Sequence, residues 1–279
     1  MINNKVGFIG GGNMARAIAG GLLRGGMHAT NVLIAEPRPE QRDFLRKDLY
    51  GALVTDDNML VAREAEVLLF AVKPQILKSV CNDLGPAIEA TRPLIMSIAA
   101  GSMIDDIDSW LGGNNSVVRV MPNQPAMIDQ GISALFANAL AHKEQRELAE
   151  RIMSSVGQVV WLKNEQEMDA VTAVSGTGPS YFYLLIDIMI KSAIDFGLDA
   201  DTARTLAVET ARGATALAAA ETESMSAMID RVRSPGGTTT AAFEHLDKSD
   251  ARGIFADAIK AARNRAIELS KDAAPGPSA

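Results

Sequence analysis

A glycine-rich turn close to the start of the chain has residue types and a spacing suited to binding a dinucleotide. Gly10, Gly12 and Ala15 match the pattern G-x-G-x-x-G/A directly after an apolar stretch. The first glycine allows a tight turn, the second lets the backbone approach a pyrophosphate, and the small third residue lets helix and strand pack closely. The helix that begins here would point its positive end at the pyrophosphate. We therefore expect a dinucleotide site at this turn.

The end of the next predicted strand gives conflicting indications about which dinucleotide binds. Glu36 ends that strand, where an acidic side chain accepts a hydrogen bond from a ribose 2′-hydroxyl and favours NAD. Arg38 follows, where a guanidinium binds a 2′-phosphate and favours NADP. Alternatively, Glu36 points away and pairs with Arg38 or Arg42 at the surface. These residues alone leave NAD and NADP open.

The histidines bear on which hydride acceptor to expect. Hydride transfer to a carbonyl usually needs an acid that protonates the oxygen. His28, His142 and His245 lie in connections or near a helix end, and none is paired with a carboxylate as in a dyad, so we interpret each as a surface histidine. A protonated imine needs no such acid because its nitrogen already carries the proton. The sequence therefore favours reduction of a C=N bond.

Two further segments combine glycine with hydroxyl side chains. Residues 174–181 join two predicted helices, and residues 234–240 run into an apolar helix expected to begin near Ala241. In the second segment, backbone N–H groups and hydroxyls would form an anion nest suited to a carboxylate. Helix capping explains one hydroxyl, but not two consecutive glycines followed by three threonines. We therefore expect anion binding at residues 234–240.

The elements that would position these residues fall into two parts. Up to about residue 163, short apolar strands alternate with helical patterns, which is typical of a parallel sheet covered by helices on both faces. Strands are predicted at Val6–Gly10, Val32–Glu36, Glu66–Val72, Leu94–Ala99, Ser116–Met121, Ile132–Phe136 and Gln158–Leu162, and helices at Ala15–Arg24, Gln41–Leu49, Gln75–Leu84 and Lys143–Ser155.

After Lys163 the pattern is helical throughout. Helices are predicted at Asp169–Val174, Ser180–Phe196, Asp201–Ala220, Ser224–Arg231 and Ala251–Lys271. The second of these is apolar nearly all round and needs burial on every side, which indicates a subunit interface. The predicted organisation is an α/β fold: a Rossmann-like parallel-sheet domain at 1–163, an all-α dimerisation domain at 164–271, and a disordered tail at 272–279.

Composition excludes several functional classes. The chain has 279 residues and a formal net charge of −7, so it has no basic excess with which to bind nucleic acid. A single cysteine, Cys81, fits a reducing compartment, and with three histidines a metal centre is not expected. The longest apolar run, Tyr181–Ile190, falls short of the roughly 20 residues that span a membrane, and no signal peptide is evident. We expect a soluble, cytoplasmic protein without a membrane partner.

Together these segments resemble the pyrroline-5-carboxylate reductases, which make the last step of proline biosynthesis. The likeness covers nearly the whole chain, with matching motifs in order at 8–14, 71–74, 97–101, 119–125, 169–179 and 234–239. Two departures stand out. Gln124 replaces the threonine usual after Asn123, and the segment around Glu223 aligns loosely, so that Glu221 is an alternative for its role.

The resemblance implies NAD(P)H-dependent reduction of 1-pyrroline-5-carboxylate to L-proline, a reaction on a CH–NH group. It implies a homodimer with interlocked helical domains, often assembled into a decamer. Most members use or accept NADPH, which favours NADP through Arg38 and leaves NAD open through Glu36. Thr172 would lie by the ring nitrogen as the catalytic residue.

The resemblance also assigns the binding residues. Substrate would be held by Glu223, Ser234, Gly236, Gly237, Thr238 and Thr239. Cofactor would contact Ile9, Gly10, Gly11, Gly12, Asn13, Met14, Glu36, Arg38, Asn58, Ala71, Val72, Lys73, Pro74, Ile98, Ala99, Ala100, Met121, Pro122 and Asn123.

Two other functions share the expected fold. A 3-hydroxyacid-dehydrogenase-like oxidoreductase would need a catalytic lysine early in the first long helix after the domain boundary, and residues 169–190 contain none. A non-catalytic nucleotide-sensing protein would need no substrate nest, so the intact glycine and threonine run at 234–239 argues against it.

Overall fold

The first part of the chain forms one eight-stranded sheet in the computed structural model, which describes residues 2–273. Its strands are Val6–Ile9 (β1), Val32–Ala35 (β2), Leu53–Thr55 (β3), Val67–Phe70 (β4), Leu94–Ser97 (β5), Val117–Met121 (β6), Gly131–Ala137 (β7) and Gly157–Trp161 (β8). Their order across the sheet is β3-β2-β1-β4-β5-β6-β7-β8. The first six strands are parallel in the order of a Rossmann fold, which confirms the predicted fold class.

Two features of the sheet differ from the prediction. Strand β7 runs antiparallel to β6, and β8 is parallel to β7, so the sheet is only mostly parallel. Strand β3 was not predicted because it has three residues, of which only Val54 is buried. It nevertheless extends the sheet beside β2, and Glu36 N–H donates to Thr55 O at 2.9 Å.

Helices cover both faces of the sheet. They are Asn13–Arg24 (α1), Pro39–Asp48 (α2), Asn58–Glu64 (α3), Pro74–Thr91 (α4), Ile104–Trp110 (α5), Lys143–Ser154 (α6) and Glu167–Val171 (α7), with 3₁₀ helices at Ala29–Asn31 and Gln124–Ile128 and a π-helix at Thr172–Gly176. Because strand side chains alternate between faces, Phe8 packs into one apolar core and Ile9 into the other.

The remaining helices are Gly178–Asp195 (α8), Ala200–Ala220 (α9), Met225–Arg231 (α10), Thr238–Lys248 (α11) and Ala251–Ala273 (α12). Helix α11 begins at Thr238 rather than near Ala241, because Gly236 adopts φ +71° and Gly237 is extended, which ends the turn three residues early. Within residues 2–273, no helix combines the length and apolar character that crossing a membrane requires.

The described residues fall into two compact units. One contains the chain up to Gly176 together with the residues from Ala262 onward, and the other contains Thr177–Ala261. The predicted boundary at 163/164 stays a prediction. The disordered tail predicted at 272–279 also stays a prediction, although α12 extends to Ala273. Residues 274–279 lie outside the described residues.

Candidate active site

The glycine-rich turn connects β1 to α1, and two of its glycines, Gly10 and Gly11, have no room for a side chain. Gly10 has φ +100°, and a Cβ there would lie 2.7 Å from Ala71 O. Its N–H donates to Ala35 O at 2.8 Å. At Gly11, a Cβ would lie 2.5 Å from Leu45 Cδ1, so α2 packs directly on the turn. The turn is therefore held between β2, the end of β4 and α2.

Open space lies in front of the first turn of α1. Gly12 is the N-cap residue, and no side chain caps this helix. A Cβ on Gly12 would meet nothing within 4 Å, whereas Ala15, one turn along, is fully buried. The first N–H groups of a helix have no carbonyl partner inside it and attract anions. The turn thus has the room and the donors that a dinucleotide pyrophosphate needs.

The other residues predicted to contact cofactor lie at the carboxyl ends of neighbouring strands. Ala71 N–H donates to Ile9 O at 2.9 Å, and Ile98 N–H donates to Phe70 O at 3.1 Å. These hydrogen bonds connect the carboxyl ends of β1, β4 and β5. Between β2 and β4, at β1, the strand order reverses. Ligands of open α/β sheets bind in the crevice at such a point. The predicted residues at this edge are Ile9, Asn13, Met14, Asn58, Ala71, Val72, Lys73, Pro74, Ile98, Ala99 and Ala100.

Glu36 lies just past β2 and is almost fully buried rather than at the surface. Its carboxylate accepts the Gly11 N–H at 3.0 Å and the Arg38 Nε–H at 2.7 Å. Burial acts to raise the pKa of this carboxyl, but hydrogen bonds from Arg38 and Gly11 and the positive charge of Arg38 outweigh it, so its pKa lies below the ordinary value. Glu36 is therefore ionised at neutral pH.

The end of β6 meets the π-helix. Asn123 accepts the Ile132 N–H at 3.0 Å through its side-chain oxygen and donates from Nδ2 to Ser175 Oγ at 3.4 Å. A Cβ on Gly176 would lie 2.5 Å from Met121 Cε. Two motifs about fifty residues apart in sequence, 121–123 and 172–176, are thus in direct contact.

The π-helix covers the end of the helix predicted at Asp169–Val174 and the start of the glycine-rich turn predicted at residues 174–181. Thr172 begins it and donates its hydroxyl to Met168 O at 2.8 Å. Single-turn π-helices occur frequently at functional sites. Ser175 was not among the predicted site residues, although it lies within the hydroxyl-rich, glycine-rich segment that the sequence singles out. Only its contact with Asn123 identifies it.

The predicted anion nest lies in the second compact unit, at the start of α11. Gly237 N–H donates to Ser234 O at 2.9 Å, and Thr240 Oγ donates to the same oxygen at 2.7 Å, which closes the loop. No side chain caps the helix at Gly237. Thr238, Thr239 and Thr240 therefore form the first helical turn, whose N–H groups have no carbonyl partner within the helix. This geometry provides the donors that the anion-binding prediction requires.

Glu221 and Glu223 share one partner. Arg231 lies 3.1 Å from Glu223 Oε2 and 3.6 Å from Glu221 Oε1, and all three side chains are more than one-third exposed. The pairing does not distinguish the two glutamates, so the substrate contact assigned to Glu223 stays a prediction.

The histidines play structural roles where contacts are seen. His142 is the N-cap residue of α6, and its Nδ1 lies 3.0 Å from Glu144 Oε2, a pair that fits the interpretation of His142 as a surface histidine. Both side chains of this pair are largely exposed. In the described part of the chain, no group of three or more His, Cys, Asp or Glu is arranged to hold a metal ion.

Comparison with known proteins finds a family match in the N-terminal part of the chain and another in the C-terminal part. Residues 165–269 match the family described as pyrroline-5-carboxylate reductase dimerisation. Residues 5–101 match the family described as NADP oxidoreductase, coenzyme F420-dependent. The helical part therefore corresponds to a dimerisation domain, which supports oligomer formation.

Full-length relatives agree with these matches. The chain is 39% identical over 271 residues to the pyrroline-5-carboxylate reductase of Pseudomonas aeruginosa, covering 97% of this chain and 98% of the relative. It is 40% identical over 269 residues to that of Synechocystis, covering 96% and 98%.

Solved structures of such reductases share the fold. The structure from Coxiella burnetii matches with a TM-score of 0.89 at 37% identity, covering 96% of this chain and 99% of the other. That from Plasmodium falciparum, with NADP bound, matches with a TM-score of 0.88 at 27% identity, covering 97% and 99%. The chain belongs to the pyrroline-5-carboxylate reductase family.

Proposed function

We propose that this protein reduces 1-pyrroline-5-carboxylate to L-proline, the last step of proline biosynthesis, with a reduced nicotinamide dinucleotide as hydride donor. The observation that supports this most directly is the contact of Asn123 with Ser175, at 3.4 Å, where the end of β6 meets the π-helix. In the same compact unit, the open turn at Gly12 offers a dinucleotide site. These observations support a site in which a dinucleotide bound at the turn would lie near the π-helix.

When bound, the reduced nicotinamide would supply a hydride to the C=N carbon, and the C=N double bond would become a C–N single bond. The imine nitrogen enters protonated, takes the electron pair of the double bond, and leaves as the amine of proline. The balance is one protonated imine and one reduced dinucleotide giving one proline and one oxidised dinucleotide. No proton donor on the protein is needed at the imine nitrogen, because that nitrogen already carries its proton.

The role proposed for Thr172 follows from its hydrogen bond. Its hydroxyl donates to Met168 O at 2.8 Å, which orients the oxygen lone pairs away from that carbonyl. A hydroxyl that donates one hydrogen bond can still accept others. We assign Thr172 as the acceptor for the N–H of the protonated imine, which would hold the C=N bond in place and stabilise its charge.

The substrate carboxylate is assigned to the start of α11. Ser234, Gly236, Gly237, Thr238 and Thr239 provide an uncapped helix start with hydroxyls on its first turn. A carboxylate fits the positive end of an 11-residue helix. Glu223 would contact the positively charged nitrogen side of the substrate, with Glu221 as the alternative.

The cofactor contacts proposed for this chain are those at the strand ends, with Met121, Pro122 and Asn123 facing the nicotinamide. The family relationship supports NAD(P) binding, and NADP is the form that the resemblance favours. A cytoplasmic location, a homodimer as the basic assembly, and a decamer built from such dimers complete the proposal.

The test is a direct assay with product identification. Purified protein is mixed with 1-pyrroline-5-carboxylate and NADH or NADPH, and both cofactor oxidation and proline formation are followed. We expect one proline per dinucleotide oxidised. Thr172→Val should lower kcat by about tenfold or more, since a hydrogen bond to a charged group contributes about 1.5–3 kcal/mol, while dinucleotide affinity stays unchanged.

Thr215→Val is the matched control. The Thr215 hydroxyl donates only along its own helix, to Ala211 O and Arg212 O, so kcat should not change. Absence of proline with both dinucleotides would contradict the proposed activity. Equal losses in the two threonine variants would contradict the role of Thr172.

A further inference from the structure

The carboxylate of Glu36 is fixed in place by backbone groups. Oε2 accepts the Gly11 N–H at 3.0 Å, and Oε1 accepts the Arg38 N–H at 3.1 Å. Only 4% of the side chain is exposed. Because the Gly11 N–H is buried, movement of the carboxylate away from it would leave a buried donor unpaired.

The Gly11 backbone, which donates a hydrogen bond to Glu36, is also held in place by residues of α2. Gln41 Nε2 donates to Gly11 O at 2.7 Å, and Leu45 packs where a Gly11 side chain would be. A Cβ on Gly11 would also lie only 3.1 Å from Glu36 Cβ. The negative charge therefore has a fixed position beside the dinucleotide turn.

The arginines nearby are committed to other partners. Arg38 contacts Glu36 through Nε at 2.7 Å and Nη2 at 3.3 Å. Arg42 donates to the Glu36 and Pro37 carbonyl oxygens at 2.9 and 2.7 Å, and its Nη2 lies 3.3 Å from Asp56. The two arginines are balanced by two carboxylates, so the cluster of Glu36, Arg38, Arg42 and Asp56 has no net positive charge.

We propose that Glu36 makes this chain select NADH over NADPH. The inference rests on the proposed function, in which a nicotinamide dinucleotide binds at the Gly10–Ala15 turn. An acidic residue at this position, after the second strand, hydrogen-bonds the ribose 2′-hydroxyl. That hydroxyl can donate to Glu36 Oε2 in place of the long 3.3 Å contact from Arg38, whose side chain is 65% exposed and able to move.

A 2′-phosphate, as in NADPH, should be disfavoured at the same place. It brings between one and two negative charges to a carboxylate that cannot retreat. Arg38 donates to Glu36 through Nε and Nη2, so turning its guanidinium toward the phosphate would take the neutralising partner from the buried carboxylate. The resemblance favours NADP on the assumption that Arg38 is available to a phosphate, and Arg38 is instead paired with Glu36.

Direct binding of the two reduced dinucleotides to the full chain, measured by isothermal titration calorimetry without substrate, tests the inference. We expect the Kd for NADH to be lower than that for NADPH by about tenfold or more, which corresponds to about 1.4 kcal/mol. Glu36→Gln keeps an oxygen that can accept the Gly11 N–H and removes the charge, so the preference should fall to less than threefold or reverse.

Two further variants make the measurement specific. Asp43→Asn removes one negative charge from the exposed side of α2, where Asp43 pairs with Arg46, and should leave the NADH preference unchanged. If Glu36→Gln does not fold, Glu36→Ser replaces it, since a small hydroxyl side chain also removes the negative charge beside the turn. The NADH preference should then fall to less than threefold or reverse, as expected for Glu36→Gln.

Three results would overturn the inference: wild-type protein that binds NADPH as tightly as NADH or more tightly, a preference that survives Glu36→Gln, or an equal loss in Asp43→Asn. These are distinct from failure of the proposed function. NADH binding with the expected preference but without turnover of 1-pyrroline-5-carboxylate would contradict the activity alone. Binding of neither dinucleotide would contradict both.

Discussion

The guanidinium of Arg119 lies 2.9 Å from the carboxylate of Glu165, and both side chains are almost fully buried. The same glutamate oxygen accepts the Ile104 N–H at 2.9 Å. This arrangement ties β6, which ends at Met121, to the start of α5 and to the segment that leads into α7 and the π-helix. Breaking a buried ion pair by removing one partner leaves an uncompensated charge.

Arg119→Met should therefore lower the free energy of unfolding by about 3–5 kcal/mol, measured by urea denaturation followed by circular dichroism. Combining it with Glu165→Gln removes the stranded charge and keeps an acceptor for Ile104, so the double variant should regain more than half of the loss. A double variant no more stable than the single one would show that the ion pair is not what stabilises this junction.

Local patterns predicted the α/β class and most strands, but they could not predict contacts between distant residues. The partners Glu36 and Gly11 are 25 residues apart, and Arg119 and Glu165 are 46 apart, so no short motif reveals either pair. The π-helix was also missed, because apolar spacing reports the common 3.6-residue period and does not register a single wider turn.

Short and interrupted elements were missed for related reasons. Helices α3 and α5 have seven residues each, which is too few for a clear apolar period. Helix α4 continues to Thr91 past Pro86, although proline usually ends or kinks a helix, because Ala87 and Ile88 beyond it are buried in the core. In each case tertiary packing outweighed the local signal.

Two glycine-to-alanine changes in the dinucleotide turn should have different effects, one on dinucleotide affinity and the other on stability. Gly12→Ala places a methyl group in open space, so stability should change by at most about 1 kcal/mol, while dinucleotide affinity should fall at least tenfold because the methyl occupies the proposed pyrophosphate position. Gly10→Ala instead forces a strained backbone and a 2.7 Å contact with Ala71 O, so it should lower the melting temperature.

Calorimetric titration with dinucleotide and thermal unfolding of both variants provide the measurements. The two variants control for each other, since each is a single added methyl group in the same turn. Normal dinucleotide affinity in Gly12→Ala would place the pyrophosphate elsewhere.

The reactivity of Cys81, the only cysteine, tests how the core of the first unit is packed. Burial raises the pKa of the Cys81 thiol from 9.0 to about 12, which lowers the thiolate fraction near neutral pH about a thousandfold. Native protein should react with an aromatic disulfide reagent far more slowly than protein in denaturant, where one thiol per chain should be released. Fast stoichiometric labelling of native protein would contradict the burial of Cys81, which lies on α4, in the apolar core.

The exposed apolar side chains of helix α8 indicate where subunits associate. Phe182, Leu185 and Ile188 are each at least 44% exposed on one helix of the family's dimerisation region. A charge in such an apolar surface disfavours association. Ile188→Asp should therefore reduce the molar mass measured by light scattering after size exclusion, whereas Asp43→Asn on α2 should not. An unchanged mass would place the interface on another surface.

Substitutions at the start of α11 should weaken substrate binding and leave cofactor binding unchanged. Thr238→Val and Thr239→Val remove hydroxyls from the proposed carboxylate nest and keep the side-chain shape. Each should raise KM for 1-pyrroline-5-carboxylate about tenfold or more, given about 1.5–3 kcal/mol for a hydrogen bond to a charged group. The dinucleotide Kd should stay within twofold, because Gly10–Ala15 lies in the other compact unit.

Thr240→Val distinguishes substrate binding from loop closure in the same segment. The Thr240 hydroxyl donates to Ser234 O at 2.7 Å and holds the loop rather than the ligand, so its loss should also lower the melting temperature. Thr238→Val and Thr239→Val should leave the melting temperature unchanged. If KM stays constant in both of those variants, or if dinucleotide binding weakens in parallel with KM, the carboxylate does not bind at the start of α11.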